Sequence, residues 1–165
     1  MEITKKGEII HLEGTQAKTG DIAPAFSLNN LADKTIQLAD FKGKVVLLSV
    51  VPDIDTRTCS IQTKRFNQEA GNVPEVQLMT ISNNTKEEQA DWCAAEGVDM
   101  EMLHDPDSVF GQAYGLYITE MKRLARAIYV IDQDGKIIYD EIVAELSAEP
   151  DYTTALEIAV KTAAK

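Results

Sequence analysis

Two apolar segments, separated by a stretch of helical character, constrain the fold of this chain more than any other feature. Residues 44–51 form a nearly continuous, valine-rich apolar run, and residues 76–81 form a second such run. Runs of this length are typical of central strands that are covered on both faces of a sheet. A helix is expected between them, over residues 58–70, with Gly71 as its C-terminal stop. A strand, a crossover helix and a second strand predict a parallel pair at the centre of a sheet.

The remaining segments surround this centre with further elements. An N-terminal hairpin is expected within residues 1–14. Thr85 and Glu88 fit a capping box that opens a second helix, and Asp105-Pro106 is expected to begin a third. Other predicted elements are a short strand at 35–38, a hairpin of strands 127–132 and 136–142 that turns at Gly135, and a last helix from Pro150 to about Ala163.

This order of elements predicts an α/β protein with a thioredoxin-like fold. We expect a single domain of residues 1–165, with a mixed central sheet, helices on both faces and an N-terminal β-hairpin. A flavodoxin-like order is the alternative, but it requires a phosphate-binding loop after the first central strand. The loop after Val51 contains threonines and no glycine, and the chain has no glycine-rich phosphate motif. A nucleotide or flavin cofactor is therefore not expected.

The charge balance excludes several classes of partner. The chain carries 27 acidic and 16 basic residues, for a net charge of −11. Nucleic acids and anionic membranes are bound by basic surfaces, so neither is expected as a partner. No apolar run approaches the roughly 18 residues of a transmembrane helix, and the first residues lack the apolar stretch of a signal peptide. These features predict a cytoplasmic protein.

Cys59 is the first candidate for chemistry, because it follows the first central strand and falls in the first turn of the predicted helix. The unpaired N–H groups and the dipole of a helix N-terminus favour the thiolate, which is the reactive form of cysteine. Three basic residues close in sequence can add positive potential: Arg57, Lys64 and Arg65. The alternative is that Cys59 is a small buried hydrophobic residue. The spacing Pro52-x-x-x-Thr56-x-x-Cys59 favours a functional site.

Cys93 is the second cysteine, and its separation from Cys59 excludes both a C-x-x-C redox motif and the paired ligands of a zinc site. His11 and His104 also stand at no metal-ligand spacing from either cysteine, so no metal is expected. From the residues alone, Cys93 could be a small core residue beside Trp92. By the same reasoning, Arg126 is best interpreted as a surface arginine at the start of a strand.

The spacing of Pro52, Thr56 and Cys59 resembles the active-site motif of peroxiredoxins. Other segments are similar to the thiol peroxidase (Tpx) subfamily of peroxiredoxins over nearly the whole chain, and the N-terminal hairpin also resembles that subfamily. These segments are Gln62-Thr63-Lys64-Arg65-Phe66-Asn67, Phe110-Gly111-Gln112-Ala113-Tyr114-Gly115, Ala125-Arg126-Ala127 and Glu149-Pro150-Asp151-Tyr152.

The resemblance implies a role for each site residue. Cys59 is the implied peroxidatic cysteine, Thr56 and Arg126 are implied to bind and polarise the peroxide, and Pro52 to shield the sulfur. Cys93 is the implied resolving cysteine, which forms an intrachain disulfide with Cys59. The implied substrates are hydrogen peroxide and alkyl hydroperoxides, the implied reductant is a thioredoxin-type protein, and the implied assembly is a homodimer.

The chain departs from the subfamily pattern at three places. Arg57-Thr58 stands where small or apolar residues are common, and the charge there is expected to affect substrate choice or thiolate stability. Residues 104–107 replace a stretch that usually carries serine and arginine, and residues 120–124 lack a glycine that is often present.

Two other functions stay open at this point. One is a disulfide reductase or isomerase, against which the missing C-x-x-C weighs; the other is a non-catalytic acidic α/β module, such as an electron carrier.

Overall fold

A seven-stranded sheet runs through the computed structural model, which describes residues 1–71, 73–98 and 100–164. The strands are β1 (Glu2–Lys5), β2 (Glu8–His11), β3 (Ser27–Asn30), β4 (Thr35–Gln37), β5 (Val45–Val50), β6 (Val76–Ser82), β7 (Met102–His104), β8 (Tyr117–Ile118), β9 (Arg123–Leu124), β10 (Ala127–Ile131) and β11 (Ile137–Ile142). The helices are α1 (Arg57–Ala70), α2 (Lys86–Glu96), α3 (Val109–Ala113) and α4 (Tyr152–Ala163), with a 3-10 turn at Leu38–Phe41. The strand order of the sheet is β11-β10-β5-β6-β7-β3-β4.

The centre of this sheet is parallel, as the apolar runs predict. β5 pairs in parallel with β6, and β6 pairs in parallel with β7, with α1 and α2 as the two crossover helices. The flanking strands join antiparallel, so the sheet is mixed. Every residue of β5 is buried, which confirms a central strand that is covered on both faces.

Helices and the N-terminal hairpin cover the two faces of the sheet. Alternate residues of a strand point to opposite faces, and β5 shows both environments. Val45 and Leu47 pack in one cluster with residues of α1 and α4. Leu48 packs in a second cluster with Phe110 of α3 and with Ile3 and Ile10 of the hairpin. The other residues of this cluster belong mostly to strands and loops. The prediction of helices on both faces and of an N-terminal hairpin is confirmed.

The predicted helix boundaries hold to within one or two residues, with one exception. Thr85 and Glu88 form the predicted capping box at the start of α2. The helix ends at Glu96, and the next residue, Gly97, has a left-handed backbone conformation. The prediction that Asp105-Pro106 begins a helix is wrong, because α3 starts at Val109. Asp105 instead accepts hydrogen bonds from the backbone N–H groups of residues 110 and 111, so it caps the helix from outside.

Two strands of the sheet escape prediction from sequence. β3 and β7 have four and three residues, too few to show a clear alternation of apolar and polar side chains. β7 matters for the topology, because it completes the second parallel crossover after α2. Among the described helices, none is long and apolar enough to cross a membrane.

Candidate active site

Cys59 lies in the first turn of α1, directly beyond the carboxyl end of β5, and its side chain is fully buried. Thr56 is the N-cap residue of α1 in an extended conformation, but its hydroxyl makes no capping bond to the helix. That hydroxyl donates instead to the carbonyl oxygen of Asp53, at 2.8 Å. The position of Cys59 in the first turn places its sulfur near the positive end of the α1 dipole.

Arg126 makes direct contact with the sulfur of Cys59. Its Nη1 lies 3.3 Å from Cys59 Sγ, and its guanidinium is almost fully buried at 2% exposure. The interpretation of Arg126 as a surface arginine is therefore wrong: the side chain turns inward from the residue before β10. A buried positive charge at this distance stabilises a negative charge on sulfur more strongly than an exposed one does.

The position of Arg126 is held by two neighbours, Leu146 and Gln62. Its Nε and Nη2 donate to the carbonyl oxygen of Leu146 at 3.0 and 2.8 Å. Its Nη1 also donates to Oε1 of Gln62, at 3.1 Å. Gln62 is itself buried on α1, and its Nε2 donates to Ser49 Oγ of β5 at 2.9 Å. The guanidinium is thus oriented from two sides, with one edge left for the sulfur.

The role of Gln62 as a contact of Arg126 is missed by the sequence analysis. A signal was present, since Gln62 stands three residues after Cys59, on the helix face that the cysteine shares. A polar side chain on that buried face must find a partner within the protein.

A cleft of about 440 Å³ opens beside this arrangement and brings the other predicted residues together. Pro52, Thr56 and Arg126 all line it, so three of the predicted site residues share one opening. Cys59 itself lies behind the lining, where Arg126 contacts its sulfur. The complete lining is Lys5, Lys6, Pro52, Asp53, Thr56, Arg57, Thr58, Met121, Arg123, Arg126, Leu146 and Ser147.

The three basic residues near Cys59 in sequence divide into two groups. Lys64 forms an ion pair with Glu96 at 3.1 Å, and Arg65 forms one with Glu69 at 3.1 Å. Their charges are neutralised at the surface of α1, so the expectation that they add potential at the sulfur is not supported. Arg57, in contrast, lines the cleft.

Cys93 lies on α2, half-buried at the edge of the apolar cluster that contains Cys59. The two cysteines are not joined by a disulfide in this structure. Cys93 Sγ lies 3.1 Å from the sulfur of Met102, which belongs to the same cluster. Both thiols thus adjoin one apolar region between α1 and α2.

Two polar contacts hold α2 against α1 near the cysteines. Trp92 Nε1 donates to Oγ of Ser60 at 3.2 Å. Ser60 directly follows Cys59, and Trp92 directly precedes Cys93. The Lys64–Glu96 ion pair joins the same two helices one turn further along. Unwinding of α1 around Ser60 or of α2 around Trp92 would break the first of these contacts.

The overall fold is shared with peroxiredoxins of known structure. The chain superposes on a peroxiredoxin-like protein from Aquifex aeolicus with a TM-score of 0.91 and 25% identity, over 98% of this chain and 96% of that one. It also superposes on a thiol peroxidase from Chromobacterium violaceum with a TM-score of 0.87, over 98% and 96% of the two chains, at 18% identity. Fold and site together define a thioredoxin-like protein of the peroxiredoxin class.

Sequence comparison leads to a narrower family. The AhpC/TSA family model matches residues 19–140. The chain is 46% identical to a thiol peroxidase of Bacillus subtilis over 162 residues, 96% of each chain. It is 43% identical to one of Staphylococcus aureus over 157 residues, 94% of this chain and 95% of that one. The chain belongs to the AhpC/TSA family, among its thiol peroxidases, and is an enzyme that reduces peroxides with thiols. The electron-carrier and disulfide-isomerase alternatives are set aside.

Proposed function

We propose that Cys59 is the residue that reduces the peroxide, and the contact between its sulfur and Arg126 is the observation that carries this proposal. The Cys59 thiolate attacks the terminal oxygen of a hydroperoxide, and a sulfur–oxygen bond forms as the oxygen–oxygen bond breaks. Sulfur gives up two electrons and becomes a sulfenic acid, while the remaining alkoxide takes a proton and leaves as alcohol or water.

Arg126 and Thr56 assist this step from the wall of the cleft. The guanidinium of Arg126 is fixed by Leu146 and Gln62, so it needs no reorganisation to stabilise charge on the sulfur and on the departing oxygen. Thr56 offers its hydroxyl at the same opening once it turns away from Asp53. Pro52 closes one side of the cleft and limits the access of water to the sulfur.

Cys93 is proposed to resolve the sulfenic acid. Its thiolate attacks the sulfur of Cys59, a disulfide forms as the sulfur–oxygen bond breaks, and the departing hydroxide takes a proton from solvent and leaves as water. A disulfide tolerates only about 4.4–6.8 Å between the two Cα atoms. Because Cys59 is fully buried in α1 and Trp92 bonds to Ser60, we expect local unwinding of a helix to precede this step.

The cycle closes when an external dithiol reduces the Cys59–Cys93 disulfide by thiol exchange. We assign that role to a thioredoxin-type protein and propose that the enzyme works as a homodimer, as the resemblance to the subfamily implies. A cycle that depends on a supply of reduced dithiols supports a cytoplasmic location.

The proposed resolving step predicts a split effect for Cys93→Ser. The variant is expected to consume one equivalent of hydroperoxide at close to the wild-type rate, because the site around Cys59 is unchanged. Its turnover with a thioredoxin and thioredoxin reductase couple is expected to fall by at least about tenfold, since no intrachain disulfide forms. Stopped-flow mixing measures the first step, and NADPH consumption measures the second.

Ala95→Ser is the matched control, because it changes an exposed residue of the same helix by one oxygen atom. It is expected to leave both rates unchanged. Wild-type turnover in Cys93→Ser contradicts the assigned role of Cys93, whereas loss of the first step as well as the second shows damage to the Cys59 site.

A further inference from the structure

The cleft beside Cys59 has a charge opposite to that of the protein as a whole. Among the residues that the structure describes, five basic side chains line it, but only one acidic side chain does. The basic residues are Lys5, Lys6, Arg57, Arg123 and Arg126, and the acidic one is Asp53. On a chain with a net charge of −11 this is a strong local concentration of positive charge. A cleft lined by one sign of charge focuses the field and attracts ligands of the other sign.

Three of these positively charged side chains form no ion pair with the described residues. Arg126 is engaged at the sulfur, and Arg123 lies 3.7 Å from Asp53. Lys5, Lys6 and Arg57 are exposed, and none of them forms an ion pair with an acidic residue of the described part of the chain. They therefore offer free positive charge at the mouth of the cleft.

The N-terminal hairpin holds two of these charges in place. Thr4 donates its N–H to the carbonyl of Ala144 at 2.8 Å and accepts the N–H of Leu146 at 2.7 Å, so the hairpin continues the wall that Leu146 forms. The turn residue Lys6 has a left-handed backbone, with φ of 50°. Two acidic residues lie close to the lining without belonging to it: Asp55, directly before Thr56, and Glu145, whose carboxylate accepts the N–H groups of Gly7 and Ser147. The basic residues of the lining outnumber these two and Asp53 by five to three.

The inner wall of the cleft has an apolar part. Pro52 and Leu146 are buried, and Met121 is half-buried, and all three line the opening below the exposed lysines and arginine. An occupant that matches this lining has an apolar body and an anionic group. Hydrogen peroxide has neither feature, and a neutral alkyl hydroperoxide has only the first.

We propose that this cleft selects organic hydroperoxides that carry a carboxylate. The hydroperoxide group meets Cys59 and Arg126, the apolar body lies against Met121 and Leu146, and the carboxylate is attracted by Lys5, Lys6 and Arg57. The inference rests on the proposed function, because it assumes that Cys59 reduces peroxides that enter through this cleft. The carboxylate takes no part in the reaction and leaves unchanged on the alcohol product.

A matched pair of substrates tests this selection. Cumene hydroperoxide is neutral, and its para-carboxylate analogue adds one negative charge to the same body. The second-order rate constant of oxidation of reduced wild-type protein is expected to be about tenfold higher for the carboxylate at low ionic strength. Added salt is expected to remove most of this preference, because exposed charges are screened.

The double variant Lys6→Gln/Arg57→Gln is expected to lower the ratio of the two rate constants by at least about threefold. Lys18→Gln/Lys161→Gln is the control, because it removes the same net charge from exposed residues outside the cleft. Its ratio is expected to match that of the wild type.

Two results overturn the inference and differ in what they leave standing. Equal rate constants for the two substrates in the wild type, or a ratio that the double variant does not change, refute the selection but leave Cys59 as a peroxidatic cysteine. Failure of both substrates to oxidise the wild-type protein refutes the proposed function itself, and the selection with it.

Discussion

Replacement of Cys59 by serine is expected to lower the rate of hydroperoxide reduction by at least about 10³-fold, because a serine hydroxyl does not ionise near neutral pH and cannot accept oxygen as sulfur does. No second thiol is found among the described residues that line the cleft. Cys93 is half-buried on α2, and its sulfur lies against Met102 rather than in the cleft. The loss is measured by stopped-flow mixing of the reduced protein with cumene hydroperoxide.

The serine variant must keep the fold for this result to count. Cys59 is fully buried among Val51, Ile54 and Trp92, and serine is slightly smaller, so a modest loss of stability is expected. The circular dichroism spectrum and the melting temperature, measured at the protein concentration of the assay, check that the variant is folded. A folded Cys59→Ser protein that still reduces the hydroperoxide at a comparable rate contradicts the assignment.

Arg126→Gln is expected to lower the second-order rate constant by about 10²–10³-fold, which is the usual effect of removing one preorganised donor from a developing negative charge. Glutamine retains a hydrogen-bond donor but not the positive charge that lies 3.3 Å from Cys59 Sγ. Lysine is not a conservative replacement, because it cannot bond to Leu146 through two nitrogens and face the sulfur with a third.

Arg65→Gln is the matched control for this prediction. Arg65 is on the same helix as Cys59, but its side chain pairs with Glu69 and lies over the ring of Tyr152, 4.3 Å from the centroid. Its replacement removes the same charge from the surface of α1 and is expected to leave the rate within about twofold, because surface ion pairs are worth little. Equal rate losses in the two variants would show that overall charge, and not the buried contact, controls the reaction.

Local patterns in the sequence predict the centre of the fold well. Residues 45–50 are apolar except for Ser49, as suits a strand with both faces covered, and that property is visible without any partner. The Thr85–Glu88 capping box spans four residues, so it too is a local property. The start of α3 is mispredicted because Asp105 acts at a distance, on N–H groups five and six residues later.

The site itself is predicted only in part, for the same physical reason. Pro52, Thr56 and Cys59 form a local motif, and the structure brings the first two to the cleft in front of the cysteine helix. The burial of Arg126 depends on partners 20 and 64 positions away, Leu146 and Gln62, and no local pattern reveals such contacts. Only the resemblance of its flanking residues to a known family drew attention to it.

The charge of the cleft shows the same limit. A net charge of −11 correctly predicts an acidic surface on average, but it does not predict where the basic residues gather. The cleft combines Lys5 and Lys6 from the N-terminal hairpin with Arg57 from the start of α1, which are about fifty positions apart in the chain. Folding creates this cluster, so the structure was needed to find it.

The most direct test of the central claim is to locate the oxidised sulfur. Reduced Cys93→Ser protein is mixed with one equivalent of cumene hydroperoxide in the presence of dimedone, which traps sulfenic acids, and the adduct is mapped by peptide mass spectrometry. One adduct is expected, on Cys59. If the peptide that contains residue 59 is still unmodified after the hydroperoxide has been consumed, the assignment of Cys59 is contradicted, because the oxygen must then have gone elsewhere.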